Sequence, residues 1–311
     1  MTLWKHTPRD AFLLALSLLQ FGATLALSAA WDEASVLVRG STFAFLVIAM
    51  TYNIIIISHL FTHVPWFESA RLNAWCSALN SVNAGQSIQA YQLSHVRNHH
   101  RYNNDQKGPD GQTKDRSSTF RDGENGEHAS LFRYAVIGAL SSLVSTCKVL
   151  ASCVRLFRVG EGEHDLLQVA AKEPDRRQKE LRQVRVDRCV HFFTLCAWLL
   201  ISWQWTLFCY LPAFSCALAL VNVQNYYEHF GAAPTSRYTD SVSHYGRLYN
   251  LLTFNDGFHQ EHHLRPQAHW AEMPRIREKH AARLAVPRIV SRVPAIVGFL
   301  DRRRLLLHRD P

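Results

Sequence analysis

Histidine is out of proportion in this chain: 17 of 311 residues, nine of them in four short clusters. The first is His59-Leu-Phe-Thr-His63, the second His95-Val-Arg-Asn-His99-His100, the third His259-Gln-Glu-His262-His263. Asn225-Tyr-Tyr-Glu-His229 adds one more imidazole and an amide. On an α-helix, residues four apart share a face, so His59 with His63, and His95 with His99, can each offer two neutral nitrogens to one ion. His100 would be turned by about 100° and could reach a second ion. Eight or nine imidazoles exceed what one tetrahedral zinc can use and suit two ions with open positions. Imidazole binds iron, copper, zinc and nickel, so the donor type leaves the metal open.

Other metal plans fail on the residues present. The seven cysteines (Cys76, Cys147, Cys153, Cys189, Cys196, Cys209 and Cys216) contain no Cys-x-x-Cys pair, which excludes a zinc ribbon, a rubredoxin-like module and c-type haem attachment. They read as small apolar residues. The soluble di-iron carboxylate plan needs paired Glu-x-x-His motifs, and only Glu161-x-x-His164 occurs; His-Glu-x-x-His is absent. Glu228, Glu261 and Asp256 stand next to candidate ligands, where carboxylates fix imidazole tautomers.

The elements that position these clusters read as helical and embedded in a membrane. Apolar types make up 48% and charged types 19%, excluding a disordered or collagen-like chain. The mean hydropathy of −0.11 averages long apolar runs with dense polar blocks. Residues 11–31 and 40–60 carry no charged residue and have the ~20-residue length of a membrane-spanning helix. The first is too long for a signal-peptide core and reads as an uncleaved anchor. From Cys189 to Gln224 there is again no charge; this run predicts two spans, about 189–210 and 211–226, broken near Pro212.

The stretch 131–157 is apolar but punctuated by Arg133, Lys148 and Arg155. If it crossed, the following block would lie outside, yet Arg158, Lys172, Arg176, Arg177, Lys179, Arg182, Arg185 and Arg188 fall within 158–188. Lys and Arg gather on the cytoplasmic side, so 131–157 reads as interfacial or re-entrant, its cations snorkelling to the boundary. The prediction is a single all-α membrane domain over 1–311, with four transmembrane helices in two hairpins. A cytoplasmic helical cap, 61–188 and 227–311, would hold the dimetal site, all clusters on one side. Residues 69–92 predict a helix along that face, 103–128 a solvated loop. The tail, with Arg302-Arg303-Arg304-Leu305-Leu306-Leu307, suits a surface helix touching anionic lipid. The net charge of +9 fits basic cytoplasmic faces and does not by itself imply nucleic-acid binding.

HxxxH, HxxxHH and HxxHH, distributed in that order around two predicted hairpins, resemble the integral-membrane fatty acid desaturase and hydroxylase superfamily from about Tyr52 to Trp270. The resemblance implies a non-haem di-iron centre that activates O2. Its iron ligands would be His59, His63, His95, His99, His100, His259, His262 and His263, with His229 in the family's NxxxH element and Asn225 binding through water. NYYEHFG resembles the alkane monooxygenase branch, whereas FNDGFHQEHHLRP is more similar to bacterial desaturases. Desaturation and hydroxylation of an acyl or alkyl chain therefore both stay open. A metal transporter or sensor is a third class, disfavoured because most histidines flank the spans instead of lying within them. The chain has no nucleotide fingerprint and no haem-binding segment, so the two electrons are expected from a separate ferredoxin, rubredoxin or cytochrome b5-like donor. Arg97, Arg101, Arg265 and Arg275 are candidate contacts for that donor or for a polar substrate head.

Overall fold

The computed structural model describes residues 3–160, 163–284 and 289–301; the basic tail expected to touch lipid lies mainly outside them. Among the described residues the fold is all-helical, with two isolated β-bridges and no strand. The chain divides into two compact units, Met1–Ser94 with Leu140–Leu218 and His95–Ala139 with Ala219–Pro311. The principal helices are α1 (Asp10–Ala29), α2 (Val36–His63), α3 (Ala70–Ala84), α4 (Ile88–Ser94), α5 (Arg133–Arg155), α6 (Pro174–Ile201) and α7 (Trp203–His229), then α8 (Arg247–Leu252), α9 (His259–Leu264) and α10 (Met273–Lys279). Four of them, α1, α2, α5 and α7, are long and apolar enough to cross a membrane.

In the first unit α1 presents leucines outward, while Asp10, Leu13, Ser17, Gln20, Thr24 and Ser28 are buried along one stripe. That polar stripe meets α3: Ser17 donates to Asn80 at 2.6 Å, and Gln20 to the Asn83 carbonyl at 3.1 Å. In lipid such bonds hold helices together where burying leucine gains little. The helix expected over 69–92 is interrupted at Gly85, whose φ of 68° ends α3 in the left-handed conformation. A Cβ there would lie 2.6 Å from the Phe214 ring. Asp187 of α6 ties three elements together. Its carboxylate accepts from Ser77, Ser87, Gln183 and the Gln89 N–H, at 2.8–3.1 Å. Burial pushes its pKa up, while those donors pull it back.

The break in the apolar run 189–224 lies at Ser202, not near Pro212. Ser202 is extended (φ −154°, ψ 104°) and its hydroxyl caps the Trp205 N–H. Pro212 instead sits inside α7, directly after a π-helical turn, Thr206–Tyr210. The irregular register of such a turn accommodates a residue with no N–H to donate. The uncharged half of α6, 189–201, is consequently shorter than the expected span. The 131–157 stretch contains one long helix, α5, which packs little against the rest of the protein.

Candidate metal centre

The second unit gathers seven of the predicted ligands, sorted by helix geometry. Residues His95–His99 form a π-helical turn, followed by α-helix from His100. Across this turn His95 meets His100, their Nε2 atoms 3.1 Å apart. The grouping by distance differs from the expected pairing of His95 with His99: it places His95 with His100 and His99 with His229 and His263. The His99 ring still stacks on that of His95 at 5.1 Å, while its candidate ligand atom falls with those of His229 and His263. His262 joins the first pair, its Nε2 3.1 Å from that of His100.

His99, His229 and His263 make a second group, all at most 2% exposed, with candidate ligand atoms within 4.8 Å of one another. α9 feeds both groups, since adjacent His262 and His263 project in different directions. His259 adjoins the second group, its Nε2 3.4 Å from that of His229. In the first unit, His59 and His63 stack edge-on at 5.0 Å, and His59 Nδ1 meets the Ile55 carbonyl at 3.2 Å.

The tautomers of the second group are fixed from behind. His99 Nδ1 donates to Asp115 at 2.8 Å, His229 Nδ1 to the Asp240 carbonyl at 3.1 Å and His263 Nδ1 to Asn103 at 3.3 Å. With Nδ1 protonated, each Nε2 keeps a lone pair. Those of His99 and His263 are buried with no hydrogen-bond partner. A buried orphan acceptor costs about 1–3 kcal/mol; several converging on one point are what a cation would satisfy. Burial, then the neighbouring imidazoles His259, His229, His99 and His262, holds His263 well below the usual histidine pKa. That keeps it neutral and able to ligate.

The acids fall into different places from one another. Glu228 lies 3.5 Å from His259 Nδ1, and Gln224 donates to Glu228 at 2.6 Å and to Asp256 at 3.2 Å. Asp256 also accepts from the Tyr249 hydroxyl at 2.9 Å. Glu261 accepts from Ser243 and from Tyr245, bracing the 241–245 segment. The amide N–H of Asn225 is engaged by the Tyr134 hydroxyl and by the Ser117 carbonyl at 3.3 Å. Of the flanking histidines, His269 caps a short helix at Ala271 and His244 meets the Ser291 carbonyl.

Sequence reasoning missed Asp115 and Asp240. Asp115 lies in the 103–128 segment read as a solvated loop, yet it is fully buried. The loop is laced internally: Asp115 accepts from the Asn104 and Ser117 N–H groups, Asp105 from the Lys114 and Asp115 N–H groups, and Asn98 from Arg116 N–H. Burial would raise the Asp115 pKa, but His99 and the two N–H donors hold it below the usual value. Asp240 is pushed up to about 6 by burial, partly offset by Gln260 and Ser241. His128 links Thr119 (2.7 Å) to the Gly231 N–H (3.1 Å), fastening the loop to the segment after α7. The signal available in the sequence was the density of Asn and Asp just beyond HxxxHH.

A profile of the Fatty acid desaturase family matches residues 37–291. A sphingolipid delta(4)-desaturase from Komagataella phaffii is 33% identical over 90 residues, covering 26% of this chain and 25% of that protein. The match thus spans about a quarter of the length of this curated relative. No solved structure matches.

Proposed function

Because this chain belongs to the fatty acid desaturase family, we propose that it is a di-iron enzyme that uses O2 and two external electrons to introduce a double bond into an acyl chain. Family membership makes it an integral-membrane oxidoreductase with a lipid substrate, and the histidine cluster suits a metal cofactor. The observation that carries the finer reading is the convergence of buried imidazoles whose Nδ1 atoms are anchored and whose Nε2 atoms are left over. Neutral nitrogen donors in two groups fit two divalent ions with sites to spare. His95, His100 and His262 would hold one, and His99, His229, His263 and His259 the other. His59 and His63 are assigned as ligands from motif order, and Asn225 as a water-mediated one. When bound, iron would supply O2 activation and the oxidising power to break an unactivated C–H bond.

The protein's own residues do the positioning. Asp115, the Asp240 carbonyl and Asn103 keep three imidazoles in the ligating tautomer. Glu228, steadied by Gln224, faces His259 Nδ1 and would orient that ring. The burial of His99, His229 and His263 keeps water from competing with an apolar chain.

We further propose that α1–α2 and α6–α7 cross as hairpins while α5 lies at the interface, with the site cytoplasmic. The Ser202 hydroxyl at the α6–α7 turn donates to Asp32 in the α1–α2 loop at 3.1 Å. Fifteen helical residues separate Asp187 from Ser202, a rise of roughly 22 Å, short of the ~30 Å hydrocarbon thickness. The basic block 158–188 then lies on the side the positive-inside rule favours.

Purified protein given acyl substrate, O2 and reduced ferredoxin tests the reaction. A double bond with no oxygen-18 in the product is expected. Label retained in an alcohol would replace desaturation by hydroxylation, the outcome the NYYEHFG segment keeps in view.

A further inference from the structure

A second concave site lies in the same unit as these ligand groups, a cavity of about 380 Å³ lined by Arg265, Ala268, Glu272, Arg275, Ile276, Lys279 and His280. Three cations thus face one carboxylate. Among the described residues, none of Arg265, Arg275 and Lys279 has an ion-pair partner within 4.0 Å. All three are exposed, so water and salt screen their mutual repulsion, and they are accessible to an anion from solution.

The framework holding them is rigid. Arg275 and Lys279 are four residues apart on α10 and share a face. Leu264, Met273 and Ile276 are buried together, locking α10 against the end of α9. Arg265 caps α9, its N–H bonding the Glu261 and His262 carbonyls, two residues beyond His263. Partial burial, with Arg265, Lys279 and Arg283 nearby, pushes His280 below its usual pKa.

We infer that this cavity binds the phosphate or diphosphate group of the molecule that carries the acyl chain. Arginine forks and a lysine are the donors that recognise such oxygens, and the volume is in the range of small-molecule pockets. An uncharged hydrocarbon would have no use for it. The acyl-carrier role rests on the desaturase reading; the anion site itself does not.

The test is calorimetry on the full-length protein in neutral detergent. It compares wild type with the double variant Arg275→Gln/Lys279→Gln and with Arg265→Gln, each checked for unchanged bound metal and melting temperature. One arm titrates inorganic diphosphate, the other mixed micelles of phosphatidic acid. Diphosphate binding weakened at least tenfold in the double variant supports the inference and points to a soluble carrier. A tenfold loss confined to phosphatidic acid supports it with a lipid head group. Equal affinities in wild type and variants, or no binding in either arm, would overturn it. So would dependence on these residues for binding an acidic ferredoxin alone, which would make the surface a protein-docking site. Anion binding without turnover on any acyl substrate would remove the desaturase reading and leave the anion site standing.

Discussion

Replacing Asp115 by Asn isolates the contribution of the carboxylate behind His99. The side chain keeps its shape but loses its charge and one acceptor. Asp115 Oδ2 accepts from His99 Nδ1 and from the Asn104 N–H, both at 2.8 Å, while Oδ1 accepts from the Ser117 N–H at 2.8 Å. An Asn oriented to satisfy His99 and Asn104 turns its NH2 towards the Ser117 N–H, donor against donor. That mismatch should cost about 1–3 kcal/mol of stability. Loss of the carboxylate behind a ligating imidazole typically weakens metal binding 10–100-fold, about 1.4–2.8 kcal/mol. The assay is a competition titration of Fe(II) or Co(II) against a chelator, with a thermal melt on the same sample. Asp105→Asn is the control, because Asp105 holds the Lys114 and Asp115 N–H groups but no imidazole in these contacts. It should lower the melting temperature without a comparable loss of metal affinity. Wild-type affinity in Asp115→Asn, or an equal loss in Asp105→Asn, would refute the reasoning.

The remaining predictions concern the ligands, the packing, the pH response and the topology. His262→Ala should abolish turnover and reduce bound metal while membrane insertion persists, measured by product analysis and elemental analysis of the membrane-extracted protein. Gly85→Ala should cost about 1–3 kcal/mol, since it adds a Cβ against Phe214 at a left-handed φ; a melt of the detergent-solubilised protein reads it. The Asp187 pKa is raised in the folded state, so its contribution to stability is present below the ordinary carboxylate value and declines as pH rises through the folded one. Asp187→Asn removes that slope, and its stability deficit should narrow as pH rises above the ordinary carboxylate range; a constant deficit would count against a raised value. Single cysteines at Asp32 and Arg176 in a cysteine-free background should react with an impermeant thiol reagent from opposite sides of the membrane. Labelling from one side would overturn the α6 crossing.

The nine candidate histidines were legible because spacing on a helix is written directly into the sequence. Their sorting into two groups was not. It depends on the π-turn at His95–His99, a local shift of register that no residue type announces. Asp115 was hidden for a related reason. A run of Asn, Asp and Gly looks solvated, but here Asn98, Asn104 and Asp105 spend their hydrogen bonds on neighbouring backbone and draw the loop inward. Pro212 misled in the opposite direction: proline marks a break only where the helix has no other way to lose an N–H, and the π-turn before it supplies one. The apolar runs themselves were read from length and charge alone, which are enough to find long helices and too little to say where each one turns.

The most direct measurement is metal content per chain, combined with Mössbauer spectra of iron-57-loaded protein, in wild type, His99→Ala and His100→Ala. The account predicts close to two iron ions in nitrogen-rich coordination, with each variant perturbing a different one of them. A single ion, none, or two variants indistinguishable from wild type would contradict it.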